Sequence, residues 1–506
     1  MPGSAPRPLG LQIVRKMLLA VPLALAALVE GCVPSPAPVA PAQLTQPSPL
    51  ATLPSAAAAP SPSPQPATAR PATQVLRSPT VTLPAASPSP TVPVAPASPT
   101  EALLPAFPMP WLLICSQNGD TLLVDPIAGQ FQDLEMGVCP DPQGVTSAGG
   151  WIAFPGRGAD GRLSELRVVS APGLSDVAHL SLAPGEISAP YGRQALAWSP
   201  DGRHLAIGAE GTAQGSSLLL LDVVDGGIDL VWAGSHRPII LGWSPDSRWL
   251  VFLTGPETFE AAWAVSRDGG AARRLYETSL GTDSYFMEAL EAWTGNASFV
   301  TAGGPGEGCY YYLREADVAA AGSRMVYDAN FAEAAADPGS RVAFLVIPDS
   351  GMCAYSVEPG LYRLPLGGGA LRPVSLGVGW QEVEWLGELG RFAAGVYPPP
   401  GIDLFSPSGS LGLSLDAALE IYPSPDGNWL LVQTATDGVQ LLASSGRTVS
   451  GVGIAPPQQI LWFPDSRALI TLGDGEIARV DLDGQARPLA PGLEVGEIIA
   501  LLWPPQ

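Results

Sequence analysis

From residue 111 onward, apolar and polar positions alternate in blocks rather than residue by residue. Short, nearly unbroken apolar runs flank a polar turn, as in Ala195-Leu-Ala-Trp-Ser-Pro-Asp-Gly-Arg-His-Leu-Ala-Ile207. A run of this length bounded by turn residues is what a strand buried on both faces looks like, as when sheets stack against neighbours. A third apolar run follows at Ser217-Leu-Leu-Leu-Leu-Asp222, then a turn at Asp225-Gly-Gly227 and a more polar stretch. The pattern predicts a four-stranded antiparallel meander with its inner strand first.

The block returns. Ile240-Leu-Gly-Trp-Ser-Pro-Asp-Ser-Arg-Trp-Leu-Val-Phe252, Tyr422-Pro-Ser-Pro-Asp-Gly-Asn-Trp-Leu-Leu-Val432 and Leu461-Trp-Phe-Pro-Asp-Ser-Arg-Ala-Leu-Ile470 are close copies, and weaker ones surround Trp293, Ala336 and Trp385. A repeat of roughly forty to fifty residues made of short strands means a propeller or a solenoid, each unit needing its neighbours to bury its faces. In the turn, proline presets φ, serine and aspartate bond nearby backbone, and glycine ends it. The recurring residues Trp198, Asp201, Trp243, Asp246, Asp426, Trp462 and Asp465 are therefore expected to serve turn and inter-blade core rather than chemistry. Second strands near residues 112, 151, 205, 250, 299, 342, 391, 430 and 469 make nine units, with eight the nearest alternative.

The recurring Trp-Ser-Pro-Asp-Gly-Arg resembles the repeat of TolB-type and WD-repeat-like β-propellers. The resemblance implies an all-β fold, a single ring of four-stranded antiparallel blades over residues 108–506. It implies no particular function, because the motif is a turn and a packing tryptophan. The additional N-terminal α/β domain of TolB has no counterpart here, so its partner-binding role does not carry over. Trp111-Leu-Leu-Ile-Cys-Ser116 reads as a second strand lacking a first, and Ile498-Ile-Ala-Leu-Leu-Trp503 as a first strand lacking a second. The C-terminal strand is thus expected to complete the first blade and remove two free edges.

Composition divides the rest of the chain. Arg15-Lys16 precedes thirteen apolar residues, Met17 to Val29, and then Glu30-Gly31-Cys32. That run is too short for a membrane span and matches a signal-peptide core. Its end resembles the bacterial lipobox, which implies a signal over residues 1–31 and lipidation at Cys32, although Glu30 departs from the small residue favoured there. Residues 33–110 contain 22 prolines in 78 positions and only three charges, Arg70, Arg77 and Glu101. Such a segment lacks a backbone donor at every proline and cannot form a core, so residues 32–107 are expected to be an extended, disordered stalk. An extracytoplasmic head held to a membrane only by its lipid, at the cell surface or in the periplasm, follows from these features.

The formal net charge is −22, and the sole lysine is Lys16. So acidic a surface repels phosphate backbones and anionic lipid, which argues against nucleic-acid binding and polybasic membrane docking. Candidate chemistry is sparse, and no cofactor or metal is expected. Gly156-Arg-Gly-Ala-Asp-Gly161 matches a dinucleotide fingerprint by letter, but the strand-like Leu163–Val169 follows where a helix is required. His179, His204 and His236 stand in separate contexts, and no G-x-S-x-G elbow occurs. Asp481-Leu-Asp-Gly484 lacks the further carboxylates of a calcium loop and reads as a hairpin turn.

The loops between second and third strands share one face of a propeller with the blade-to-blade connections. Around units four to six they are long and carry Phe259, Glu260, Asp283, Tyr285, Phe286, Glu307 and Tyr310. Aromatics beside carboxylates can stack on a sugar or hold a cation. Three functions are open: a monomeric head binding an envelope protein or a glycan, a glycosidase or lyase working with these carboxylates, and an assembly subunit. The absence of histidine, tyrosine or arginine arranged for catalysis beside the acids favours binding.

With Cys32 taken by lipid, Cys115, Cys139, Cys309 and Cys353 form an even set in an oxidising compartment. The repeat alignment places Cys115 and Cys139 at one end of unit one, and Cys309 and Cys353 at equivalent points of neighbouring units. Cross pairings would span non-adjacent blades, so Cys115–Cys139 and Cys309–Cys353 are the expected disulfides.

Overall fold

The computed structural model describes residues 110–502 except 135–138, 140–149, 158–161, 171–174, 183–184, 188–194, 213–214, 256–258, 280–286, 305–309, 350–354, 356, 398–399, 436–437 and 453–456. These residues form a ring of nine antiparallel sheets, a nine-bladed β-propeller. The second strands begin at Trp111, Trp151, His204, Trp249, Ser298, Val342, Arg391, Trp429 and Ala468, so the repeat count of nine holds blade by blade. Seven sheets are four-stranded. Blade two shows three strands among the described residues, and in blade three both Glu186–Ile187 and Leu196–Trp198 pair with His204–Thr212.

Ring closure is as the chain ends suggest. Val495–Leu502 is the inner strand of blade one and runs antiparallel to Trp111–Ser116, pairing Trp111 with Leu502 and Cys115 with Glu497.

Unbroken apolar strands make sense once each sheet is seen packed on both sides. All six residues of Val342–Ile347 in blade six are buried. Val342, Phe344 and Val346 share a core with Trp380, Val383 and Phe392 of blade seven. Ala343, Leu345 and Ile347 share another with Val300 and Leu313 of blade five. Phe344 lies flat on Phe392, ring centres 4.0 Å apart. Adjacent residues thus serve opposite neighbours, the period of two expected of a strand.

The repeated turn acts across blade boundaries as well as within them. Inside it, the Ser199 hydroxyl accepts from the His204 backbone N–H and donates to Asp201, and Gly202 N–H donates to Ser199 O. Ser244 and Ser424 repeat the arrangement. The last turn position takes a left-handed backbone in every strong copy: Gly202 at φ +67°, Ser247 at +59°, Gly427 at +70° and Ser466 at +59°. Where that position is serine, its hydroxyl accepts from the aspartate N–H of the preceding turn: Asp201 to Ser247 at 2.9 Å, Asp426 to Ser466 at 3.0 Å. The motif tryptophans cross the same boundaries. Trp243 Nε1 donates to Ala197 O and Trp462 Nε1 to Tyr422 O.

These turns define a lower face. The upper face carries the loops between second and third strands and the blade-to-blade connections. Trp111–Ser116 climbs from the lower to the upper face and Val495–Leu502 descends, so the described chain both enters and leaves on the lower face.

Candidate binding face

Charge is sorted between the two faces. The described inner strands, which surround the central channel, contain Glu186, Glu288, Glu291, Glu333, Asp337, Glu382, Glu384, Glu420 and Glu497 but no arginine, lysine or histidine. In blades four to nine the described arginines, Arg314 and the Arg237 that leads into blade four apart, sit in or beside lower-face turns, as do Arg248, Arg267, Arg341, Arg391 and Arg467. There they meet local acids or carbonyls: Arg267 pairs with Asp201, Arg324 and Arg341 with Glu315, and Arg363 donates to Pro407 O. The described upper face of blades five to nine is left acidic.

One group of exposed apolar residues stands on that face too. Of the exposed large hydrophobic side chains among the described residues, Val357, Leu376, Val378, Tyr397 and Leu419 lie at the top of three adjoining blades, six to eight, whereas Ile127, Phe131, Val224, Met325, Leu411 and Val449 lie at or toward lower-face turns and are spread over blades one, three, five, seven and eight. A group on adjoining blades means more than isolated exposed side chains do.

Local backbone explains how they are presented. Blades six and seven are joined by Gly377-Val378-Gly379, with φ of +134° and +97° at the glycines, a conformation that any Cβ disfavours. Gly377 N–H donates to Pro359 O, and Tyr397 N–H to Gly379 O at 2.8 Å. These bonds tie the connection to the loops on either side and leave Val378 68% exposed. Ala435 N–H, likewise, donates to Ala417 O at the start of blade eight, just before Ala418 and Leu419.

Between blades seven and eight lies a cavity of about 150 Å³ lined by Gln381, Glu382, Val396, Tyr397, Ile402 and Leu419, among others. Glu382 folds across Gly395, where any Cβ would come within 2.8 Å of its Cγ and Oε1. Further down the channel wall, Tyr422 donates to Glu420. Burial first, and then the Glu420 charge, push the Tyr422 phenol far above its ordinary value, so it remains a donor. The cavity therefore has aliphatic and aromatic walls and a carboxylate and an amide at its rim. It is smaller than the roughly 300–1,000 Å³ of small-molecule sites. One side chain of a larger partner fits it better than a whole metabolite.

Of the face expected from sequence in units four to six, Asp283, Tyr285, Phe286 and Glu307 lie outside the described residues, as do the side chains of Phe259 and Glu260. Tyr310 is half-buried and stacks on Phe331 at 5.4 Å. Beneath those loops sits a polar cluster that the sequence did not reveal. Tyr276 and Thr301 both donate to Glu288 Oε1 at 2.6 Å. The Arg314 guanidinium stands 4.3 Å from the Tyr276 ring centre and 4.9 Å from that of Tyr312. Burial, and then the Glu288 charge, hold the Tyr276 phenol well above its ordinary value.

Cys115 and Cys139 are joined, with Cα atoms 5.6 Å apart, and a structural disulfide is the mark of an oxidising compartment. Cys32, Cys309, Cys353 and the segments 1–31 and 32–107 lie outside the described residues. Gly156 ends one strand and Glu165 begins the next, so the glycine-rich stretch joins two strands. His204 is a buried packing residue beside Trp243, at 6.1 Å between rings. Asp481–Gln485 closes a hairpin, with Gly484 N–H donating to Asp481 O. Among the described residues no three histidine, cysteine or acidic side chains converge on a metal position.

No protein-family model and no curated protein matches this sequence. Solved structures do match in shape. A structure titled as the eukaryotic initiation factor superposes with a TM-score of 0.51 at 12% identity, covering 75% of this chain and 95% of that one. Dipeptidyl peptidase 4 of Porphyromonas gingivalis gives 0.47 at 12% identity, covering 69% and 60%. An oligogalacturonate lyase in complex with manganese gives 0.37 at 13%, covering 54% and 83%. At these identities the likeness extends to the propeller fold and stops there.

Proposed function

We propose that the protein is an extracytoplasmic binding module, a nine-bladed head anchored through lipidated Cys32 and lifted on the proline-rich stalk of residues 32–107, which engages a protein partner with its upper face. One observation carries this reading: the described chain enters and leaves on the lower face, while a group of exposed apolar residues on three adjoining blades and the cavity beside them lie on the upper one. A head tethered from below presents that face outward. The Cys115–Cys139 disulfide supports the compartment, and the small cavity favours a macromolecular ligand over a free sugar.

Two measurements test it. Metabolic labelling with radioactive palmitate should mark the full chain and fail on Cys32→Ser. A photo-crosslinking amino acid at Tyr397 should give adducts in intact cells, and the same residue at the lower-face Asp465 should give none. Adducts from Asp465 alone would reverse the assignment of faces.

A further inference from the structure

Resting on that reading, we infer that the partner presents a cationic segment, a lysine or arginine flanked by apolar residues, and that the basic side chain enters the cavity between blades seven and eight. The walls suit such a side chain along its length. Its methylene stem meets Val396, Ile402 and Leu419, and its charged end reaches Glu382. Long basic side chains bury their stems on apolar surface while keeping the head group at a polar rim. Tyr397, 49% exposed at the edge, offers its ring face to the same cation. Apolar neighbours in the partner would rest on Leu376 and Val378, the latter one residue from the hydrogen bond that ties Gly379 to Tyr397.

Charge complementarity selects this occupant over a neutral or acidic one. Glu358 adjoins the exposed Val357, Asp416 ends the outer strand of blade seven just before Leu419, and the described upper faces of blades six to eight carry no arginine or histidine. An acidic segment would meet like charge throughout and leave the Glu382 carboxylate opposed. A cationic one is attracted from a distance and fixed in register at short range.

The test uses the full-length chain, immobilised, and a phage-displayed library of random peptides as probe. The expected result is enrichment of peptides combining lysine or arginine with aliphatic or aromatic residues. Their affinity should fall about tenfold in Glu382→Gln, equivalent to about 1.4 kcal/mol, and further in Tyr397→Ser. It should also collapse near 1 M salt, where the screening length falls to about 3 Å. Both positions are exposed, and unchanged thermal melts would show that the variants fold. Peptides that lose binding in Tyr397→Ser but show no basic enrichment would overturn the partner class and leave the face standing. Binders indifferent to both substitutions, or no binders, would overturn the face as well.

Discussion

The Trp243 indole N–H donates to the Ala197 carbonyl across the boundary between blades three and four, at 3.0 Å. The tryptophan is buried, so the bond and the ring's packing act together. Trp243→Phe keeps most of the apolar contact but leaves a buried carbonyl without this donor. It should cost about 1–3 kcal/mol, and Trp243→Ala about 3–5 kcal/mol, read from shifts in urea midpoint. An equal cost for the two variants would mean that the hydrogen bond contributes most of the stabilisation.

Ser247 combines a left-handed backbone with an inter-blade hydrogen bond. Ser247→Ala loses the bond and keeps the strained conformation, whereas Ser247→Gly loses the bond and relieves the strain. The alanine variant should therefore be the less stable, by about 1 kcal/mol. The same order should hold at Ser466. Thermal unfolding of the four variants checks it, and a more stable alanine form would contradict the turn geometry.

Breaking Cys115–Cys139 by double substitution to serine should destabilise the head by about 3–4 kcal/mol, from loop closure over a sequence separation of 24. Mass spectrometry after thiol alkylation of the unreduced, denatured chain should find neither cysteine labelled. If the Cys309–Cys353 pairing also forms, those two sites will be unlabelled as well.

Burial holds the His204 imidazole below its ordinary value, against the pull of Asp222 and Asp201, and its Nδ1 is buried without a hydrogen-bond partner. In the folded state the neutral ring is favoured. The unfolded chain therefore binds the proton first as pH falls below about 6.5. Stability from this residue is complete above that value and is lost as pH drops from about 6.5 towards the folded pKa. His204→Gln should flatten the decline of the denaturation midpoint between neutral pH and the onset of carboxylate titration. An unchanged slope would place the pH dependence elsewhere.

The blades could be read from sequence because each is a local phrase. Trp243, the Ser244–Ser247 turn and Leu250–Leu253 are contiguous, and their order alone specifies two strands and the turn between them. The binding face has no such phrase. Gln381, Tyr397 and Leu419 come from an inner strand, a loop and the next blade, and they converge only because Gly379 and Ala417 hydrogen-bond to neighbouring loops. Their proximity depends on two blades packing side by side, which no local pattern encodes. The Glu288–Tyr276–Thr301 cluster was hidden similarly, since each member sits in an otherwise ordinary strand. The acid-only inner strands were readable in principle, but their meaning needed the knowledge that they line one channel. The serine that replaces glycine at 247 and 466 carries an inter-blade role that the turn pattern does not state, because its hydroxyl accepts from the preceding turn.

Trp111–Ser116 and Val495–Leu502 are the first and last described strands, and they are hydrogen-bonded neighbours. A chain made from its N-terminus can add blades to a growing stack, but blade one must wait for its innermost strand until all the others exist. Until then the stack is an open spiral with an unsatisfied edge along Trp111–Ser116, able to capture a strand from another copy. Val495–Leu502 is therefore a latch, and its insertion is the contact of greatest sequence separation in the ring, the kind that forms slowly. The reverse path begins at the same place. If the latch peels away, both terminal blades are exposed together, so the head's lifetime against proteolysis is governed by how often these eight residues let go.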